Sequence, residues 1–159
     1  MKSNYLITTL LRGKWFIDHR VDIETSEIID KILKRGFAGE TSILSDNKPF
    51  SYSIISTNGA IPVAQDIPEG IPYDTTAVFL IEGIMLKQGS LSHYGTTEIA
   101  ASIRKAVEHD RITSIVLRID SGGGAIDSIA PLVDVIQLAR EKGKPVVASC
   151  DLCASAAYF

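Results

Sequence analysis

Between Ala77 and Ala148 the chain alternates short apolar runs with longer stretches of helical periodicity, and few architectures accept that order. Ala77-Val-Phe-Leu-Ile81, closed by Gly83, reads as a buried strand. Ser114-Ile-Val-Leu-Arg-Ile119 reads as a second, and Lys144-Pro-Val-Val-Ala148 as a third. Between them, Thr97 to His109 places Ile99, Ala100, Ile103, Ala106 and Val107 on one helical face. Ile126 to Lys142 carries Ile129, Leu132, Val133, Ile136 and Leu138 at helical spacing, and Gly143 closes it. Continuous apolar strands separated by amphipathic helices predict an α/β fold, with a parallel sheet built from repeated strand-helix units and right-handed crossovers.

The texture before Tyr73 is different. Ile28, Ile29, Ile32 and Leu33 recur at helical spacing, so a helix is expected over residues 22–35, capped by Thr25 or Ser26 and stopped by Gly36. Trp15 and Phe16 are expected to dock on something that the sequence does not name. Residues 38–75 hold Asn58-Gly59, the apolar runs 52–55 and 60–63, and Pro62, Pro68 and Pro72. Proline there argues against a long regular element, so loops and short extended segments are expected. The division this implies is an N-terminal extension, mainly helical and irregular, over residues 1–72 and a core over 73–159.

Composition narrows the partners. The chain has 159 residues, 45% hydrophobic and 22% charged, with a net charge of −3, ordinary values for a globular protein with a real core. Lys and Arg form no block, which argues against nucleic acid as a partner, because phosphate binding needs a concentrated basic face. No stretch approaches the roughly 20 apolar residues of a membrane span, and residues 5–11 lack the cleavage site of a signal peptide, so a cytoplasmic location is expected. Cys150-Asp-Leu-Cys153 could be a redox pair or half of a zinc site. With no second such pair and with His19, His93 and His109 scattered, no metal or cofactor is expected, and the cysteines read as small hydrophobes in a reducing compartment.

Two motifs carry chemistry. Asp120-Ser-Gly-Gly-Gly-Ala125 stands between an expected strand and an expected helix. Glycines leave their N–H groups uncovered by any Cβ, and a strand-to-helix turn aims such donors at an anion. That suits a phosphate cradle, an oxyanion hole or a tight turn with no ligand at all. Neither the dinucleotide fingerprint nor the P-loop spacing is present, and no Lys follows Gly124. The second motif, Cys153-Ala-Ser-Ala-Ala-Tyr158, follows the third strand. Ser155 among small residues at the start of a helix has an exposed hydroxyl, and the Ala156 N–H lies beside it; the same pattern also suits a helix-capping serine.

Ile119-Asp-Ser-Gly-Gly-Gly124 resembles the Ile-Asp-Ser-Pro-Gly-Gly signature of the signal peptide peptidase A family of serine peptidases. Cys153-Ala-Ser-Ala-Ala-Tyr158 resembles that family's nucleophile segment, and the likeness runs from about Val78 to the last residue. The short N-terminal helix, Trp15-Phe16-Ile17 and the lack of an anchor are more similar to its phage prohead (capsid) protease branch. The resemblance implies a Clp/crotonase-like fold and a serine endopeptidase acting on polypeptides, with no cofactor and as a homo-oligomer. It implies Ser155 as nucleophile and the N–H groups of Gly123 and Ala156 as the oxyanion hole, with Gly122 and Gly124 as substrate-binding backbone. Gly122 departs from the family's proline.

The family's lysine base has no evident counterpart before Phe159, so the chain is expected to be incomplete there and to take its base from outside. Lys87 is the best candidate within it, although a loop lysine is ordinarily solvated. Lys144, before the third strand, is a further in-chain possibility, while His93 and His109 read as surface residues and Asp120 as a turn-former. The alternatives from other classes are an inactive, oligomerising scaffold module of the same fold and an acyl-CoA-binding crotonase-type enzyme.

Overall fold

The computed structural model describes residues 13–17, 52–64, 66–89 and 94–159. The helix expected over 22–35 lies outside the described residues, as do His19 and His93. Among the described residues six strands form one sheet: β1 (Trp15–Ile17), β2 (Tyr52–Ser56), β3 (Gly59–Val63), β4 (Thr75–Met85), β5 (Ile112–Ala125) and β6 (Val146–Cys153). Helix α1 (Thr96–Glu108) joins β4 to β5, and α2 (Ile129–Glu141) joins β5 to β6.

Strands β4, β5 and β6 pair in parallel, as the strand-helix alternation predicts. The sheet as a whole is mixed, however, which corrects the expectation of a purely parallel one. Thr57 and Asn58 form the two-residue turn of a hairpin, Gly59 opens β3 at φ 108° opposite Ser56, and β2 and β3 pair antiparallel. Strand β2 then pairs antiparallel with β4, so this hairpin extends the sheet. Pro62 is tolerated because β3 is an edge strand and needs no donor on its outer side.

The larger correction concerns the glycines. They do not form the strand-to-helix turn; β5 runs through them to Ala125. On one side, β4 continues alongside them, with Ile84 opposite Gly123 and Met85 opposite Gly124. On the other, β1 pairs antiparallel with Gly123, Gly124 and Ala125, taking the flank of β5 beyond the residues that β6 pairs. A Cβ on Gly124 would land on the Met85 carbonyl oxygen, so only glycine lets the two backbones approach. The turn into α2 comes later, as a 3-10 turn at Ile126–Ser128 held by Ser128 Oγ donating to the Ala125 carbonyl over 2.6 Å.

Helix α1 buries Ile99, Ala100, Ile103, Ala106 and Val107, the face its periodicity predicts. Helix α2 buries Leu132, Val135 and Ala139, a stripe rotated from the expected one, and leaves Ile129, Val133 and Ile136 only half-buried. The two helices pack on each other over the same face of the sheet. Beneath them, Phe79, Ile81, Ile115, Leu117 and Ile119 form the core floor. The hairpin shares that core: Tyr52 stacks on Phe79 with ring centroids 4.5 Å apart, and Ile54 and Val63 are buried beside it. Among the described residues no helix is long and apolar enough to cross a membrane.

Candidate active site

The C-terminal ends of β5 and β6 bring the two motifs together. Ser121 stands opposite Cys153 in the ladder, and the Ala154 N–H donates to the Ser121 carbonyl over 3.2 Å. From that crossing point the chain leads on one strand to Gly123 and on the other to Ser155.

Ser155 opens a 3-10 turn (Ser155–Ala157) with its backbone at φ 53°. A serine in the left-handed region costs of order 1–2 kcal/mol, so its surroundings must hold it there. The Ala157 N–H donates to the Ala154 carbonyl over 3.0 Å, and the Tyr158 N–H to the Ser155 carbonyl over 3.1 Å. The Cys153 thiol donates to the Ala157 carbonyl over 3.3 Å, and the Ala156 side chain is buried at 2% exposure. Ser155 itself is half-buried and within reach of solvent. The sequence suggests an ordinary helix start here; the strained, pinned serine is a feature that no residue pattern announces.

Gly123 also has a positive φ, 102°. Its N–H donates to Ser121 Oγ over 3.2 Å, and that hydroxyl in turn donates to the Gly83 carbonyl over 2.6 Å. Ser121 is 1% exposed, so this clamp is internal. The amide with the expected oxyanion role is therefore engaged by a neighbouring hydroxyl in this structure. Ser121 was not singled out in the sequence, and its one visible signal is its place ahead of the glycines. Gly122 and Gly124 are buried in the strand on either side of Gly123.

The candidate bases fare differently. Lys87 is exposed, in the segment after β4, and its carbonyl accepts the Thr97 N–H over 3.0 Å at the start of α1. Lys144 has its pKa lowered, mainly by burial and further by Lys142, with Asp110 opposing. Its Nζ donates to the His109 carbonyl over 2.7 Å, at the far end of β6 from Ser155. The eight residues of that strand span roughly 26 Å, which separates both Lys144 and His109 from the serine. Asp120 is an exposed residue within β5, which corrects its reading as a turn-former.

Under the Ser155 turn runs an apolar groove, open to solvent and lined by Leu117 and Ile119 of β5, Ile129, Val133 and Ile136 of α2, and Ala156. Among the described residues no group of three or more His, Cys, Asp or Glu could hold a metal ion.

No family model matches the chain. Among curated proteins, the chain is similar to Protease 4 of Salmonella typhi, 26% identical over 165 residues. The alignment takes in 92% of this chain and 23% of that protein, so the chain spans about a quarter of its relative's length. A distant likeness to a protease agrees with the peptidase resemblance of the two motifs.

Proposed function

We propose that the chain carries the nucleophile of a serine endopeptidase of the signal peptide peptidase A type. The observation that carries this reading is Ser155 held at φ 53° where β6 leaves the sheet, beside the glycine segment of β5. Strain of this kind in a pinned, accessible serine is a mark of nucleophile turns. In this reading Ser155 Oγ attacks a peptide carbonyl carbon as its proton passes to a base. The N–H groups of Ala156 and Gly123 stabilise the oxyanion, with Gly123 released from Ser121 Oγ as charge develops. The C–N bond breaks, the amine leaves with the proton, and water hydrolyses the ester on Ser155. The base is a lysine contributed from outside this chain. The groove beside Ala156 suits an apolar substrate side chain. The N-terminal Trp15-Phe16-Ile17 supports the capsid-maturation branch, in which the substrate would be an assembly protein.

The test is labelling with a fluorophosphonate, read by peptide mapping. Label on Ser155 that is lost in Ser155→Ala supports the reading. Equal labelling of Ser155→Ala sinks it. A second reading, an inactive oligomerising module, is favoured by the exposure of Lys87 and the engaged Gly123 amide. A stable oligomer in native mass spectrometry with no labelling would support that module instead.

A further inference from the structure

Cys150 and Cys153 are three apart in sequence, and in a regular strand residues so spaced point to opposite faces. The register of β6 breaks that rule. Cys150 pairs with Ile119, but Leu152 already pairs with Asp120 and Cys153 with Ser121, so one residue, Asp151, is extra. This bulge places both cysteines opposite two residues of β5 that share a buried face, Ile119 and Ser121. Their Cα atoms are then two strand positions apart, about 6.6 Å. A disulfide bridges Cα separations of about 4.4–6.8 Å with Cβ atoms about 3.5–4.5 Å apart, so the Cα spacing is at the upper end of the range and the two side chains must lean together at the bulge to close it.

Both thiols are free, and Cys150 is exposed. Burial pushes the Cys153 thiol up in pKa, and the neighbouring Cys150 side chain adds to this. Cys153 is also the residue whose S–H donates to the Ala157 carbonyl and closes the turn that pins Ser155. A disulfide has no S–H to donate. The oxidation state of this pair is thus wired to the turn two residues away.

We propose that Cys150 and Cys153 are a reversible disulfide site, and that closing the disulfide loosens the Ser155 turn and lowers the reactivity of that serine. The regulatory half rests on the reading of Ser155 as nucleophile. The oxidant is a small-molecule disulfide such as oxidised glutathione. The exposed Cys150, as thiolate, attacks one sulfur of it, forming a mixed disulfide and expelling one thiolate. Cys153, once deprotonated, attacks the Cys150 sulfur and expels the second. Two protein thiols lose two protons and two electrons, and the oxidant becomes two thiols.

The experiment uses the whole chain in glutathione buffers of graded redox poise, with three readouts. Thiol alkylation and intact mass should show an intramolecular disulfide at oxidising poise; two alkylatable thiols throughout, or only a disulfide-linked dimer, overturns the site. Amide hydrogen exchange at Ala157 and Tyr158 should quicken about fivefold to tenfold on oxidation, the weight of one lost hydrogen bond. Unchanged exchange in a chain that has formed the disulfide overturns the coupling. Fluorophosphonate labelling of Ser155 should fall by a similar factor, and Cys150→Ser, which keeps the Cys153 to Ala157 bond, should label independently of poise. Labelling that ignores the disulfide overturns the regulation. If neither form labels while exchange still responds, the nucleophile reading fails and the coupled disulfide stands.

Discussion

A serine at φ 53° occupies backbone that glycine adopts without strain, so stability and chemistry make opposite demands at Ser155. Ser155→Gly is expected to raise unfolding stability by up to about 1 kcal/mol while abolishing fluorophosphonate labelling, and Ser155→Ala to abolish labelling at nearly unchanged stability. Chemical denaturation of the pair against the parent checks both. A second residue stores a pH response. Burial, with a contribution from Asp66, pushes the Tyr52 phenol up from 10.0 to about 12, and its hydroxyl is buried without a hydrogen-bond partner among the described residues. The folded state thus favours the neutral phenol, whose stabilisation is whole below pH 10 and is lost as pH rises toward 12. The loss should reach about 2–3 kcal/mol by pH 12, and Tyr52→Phe should lack that part of the fall while being neutral or stabilising at pH 7. Denaturation midpoints at pH 8, 10 and 11.5 for both proteins decide it. Of the residues that matter here, Ser155 and the glycines were legible in the sequence from their small neighbours. Ser121 and the Cys153 bond to Ala157 were not, because each depends on what the fold sets beside it.

Among the elements, β5 shows what a one-dimensional pattern can carry. Its apolar run Ile115 to Ile119 was legible because a buried strand needs no partner to be recognised, and so was the buried face of α1. The continuation through Gly124 was not, because glycine has no side chain to reveal periodicity and suits a turn and a close strand approach equally. The two roles predict different costs. Gly143, at φ 70° with open space around it, should lose about 1 kcal/mol on substitution by alanine, from backbone strain alone. Gly124→Ala sets a Cβ against the Met85 carbonyl and must push β4 from β5, so a larger loss, about 2–3 kcal/mol, is expected. Equal losses in thermal unfolding would mean that the strand approach is not what demands the glycine. Helix α2 was read as a single stripe because Ile129, Leu132, Val133 and Ile136 fall together on a wheel. In the fold that stripe is shared between the core and the groove.

At the scale of the molecule, the question is where the cooperative unit begins. Composition places the break near residue 72, since the prolines and short apolar runs before it look unlike the strand-helix repeats after it. Yet β2 lies between β3 and β4 in one sheet, and Phe79 is fully buried with the Tyr52 ring stacked against it 4.5 Å away. The hairpin therefore shares the core that α1 and α2 cover, and removing it would strip the Tyr52 ring from Phe79. Phe79→Ala should cost about 3–5 kcal/mol, a large share of the roughly 5–15 kcal/mol that holds a domain together. Because one cluster of side chains spans hairpin, sheet and both helices, that loss should appear in a single transition. Trp15, the sole tryptophan, packs against Leu86 and Ala125 and reports on the β1 end of the sheet. Its fluorescence and far-UV circular dichroism should follow coincident denaturant curves in the parent and in Phe79→Ala, both shifted together in the variant. Curves that separate, with the tryptophan signal lost first, would show β1 to be a loosely attached strand. The chemistry of the Gly123 segment would then have to be argued without its antiparallel neighbour.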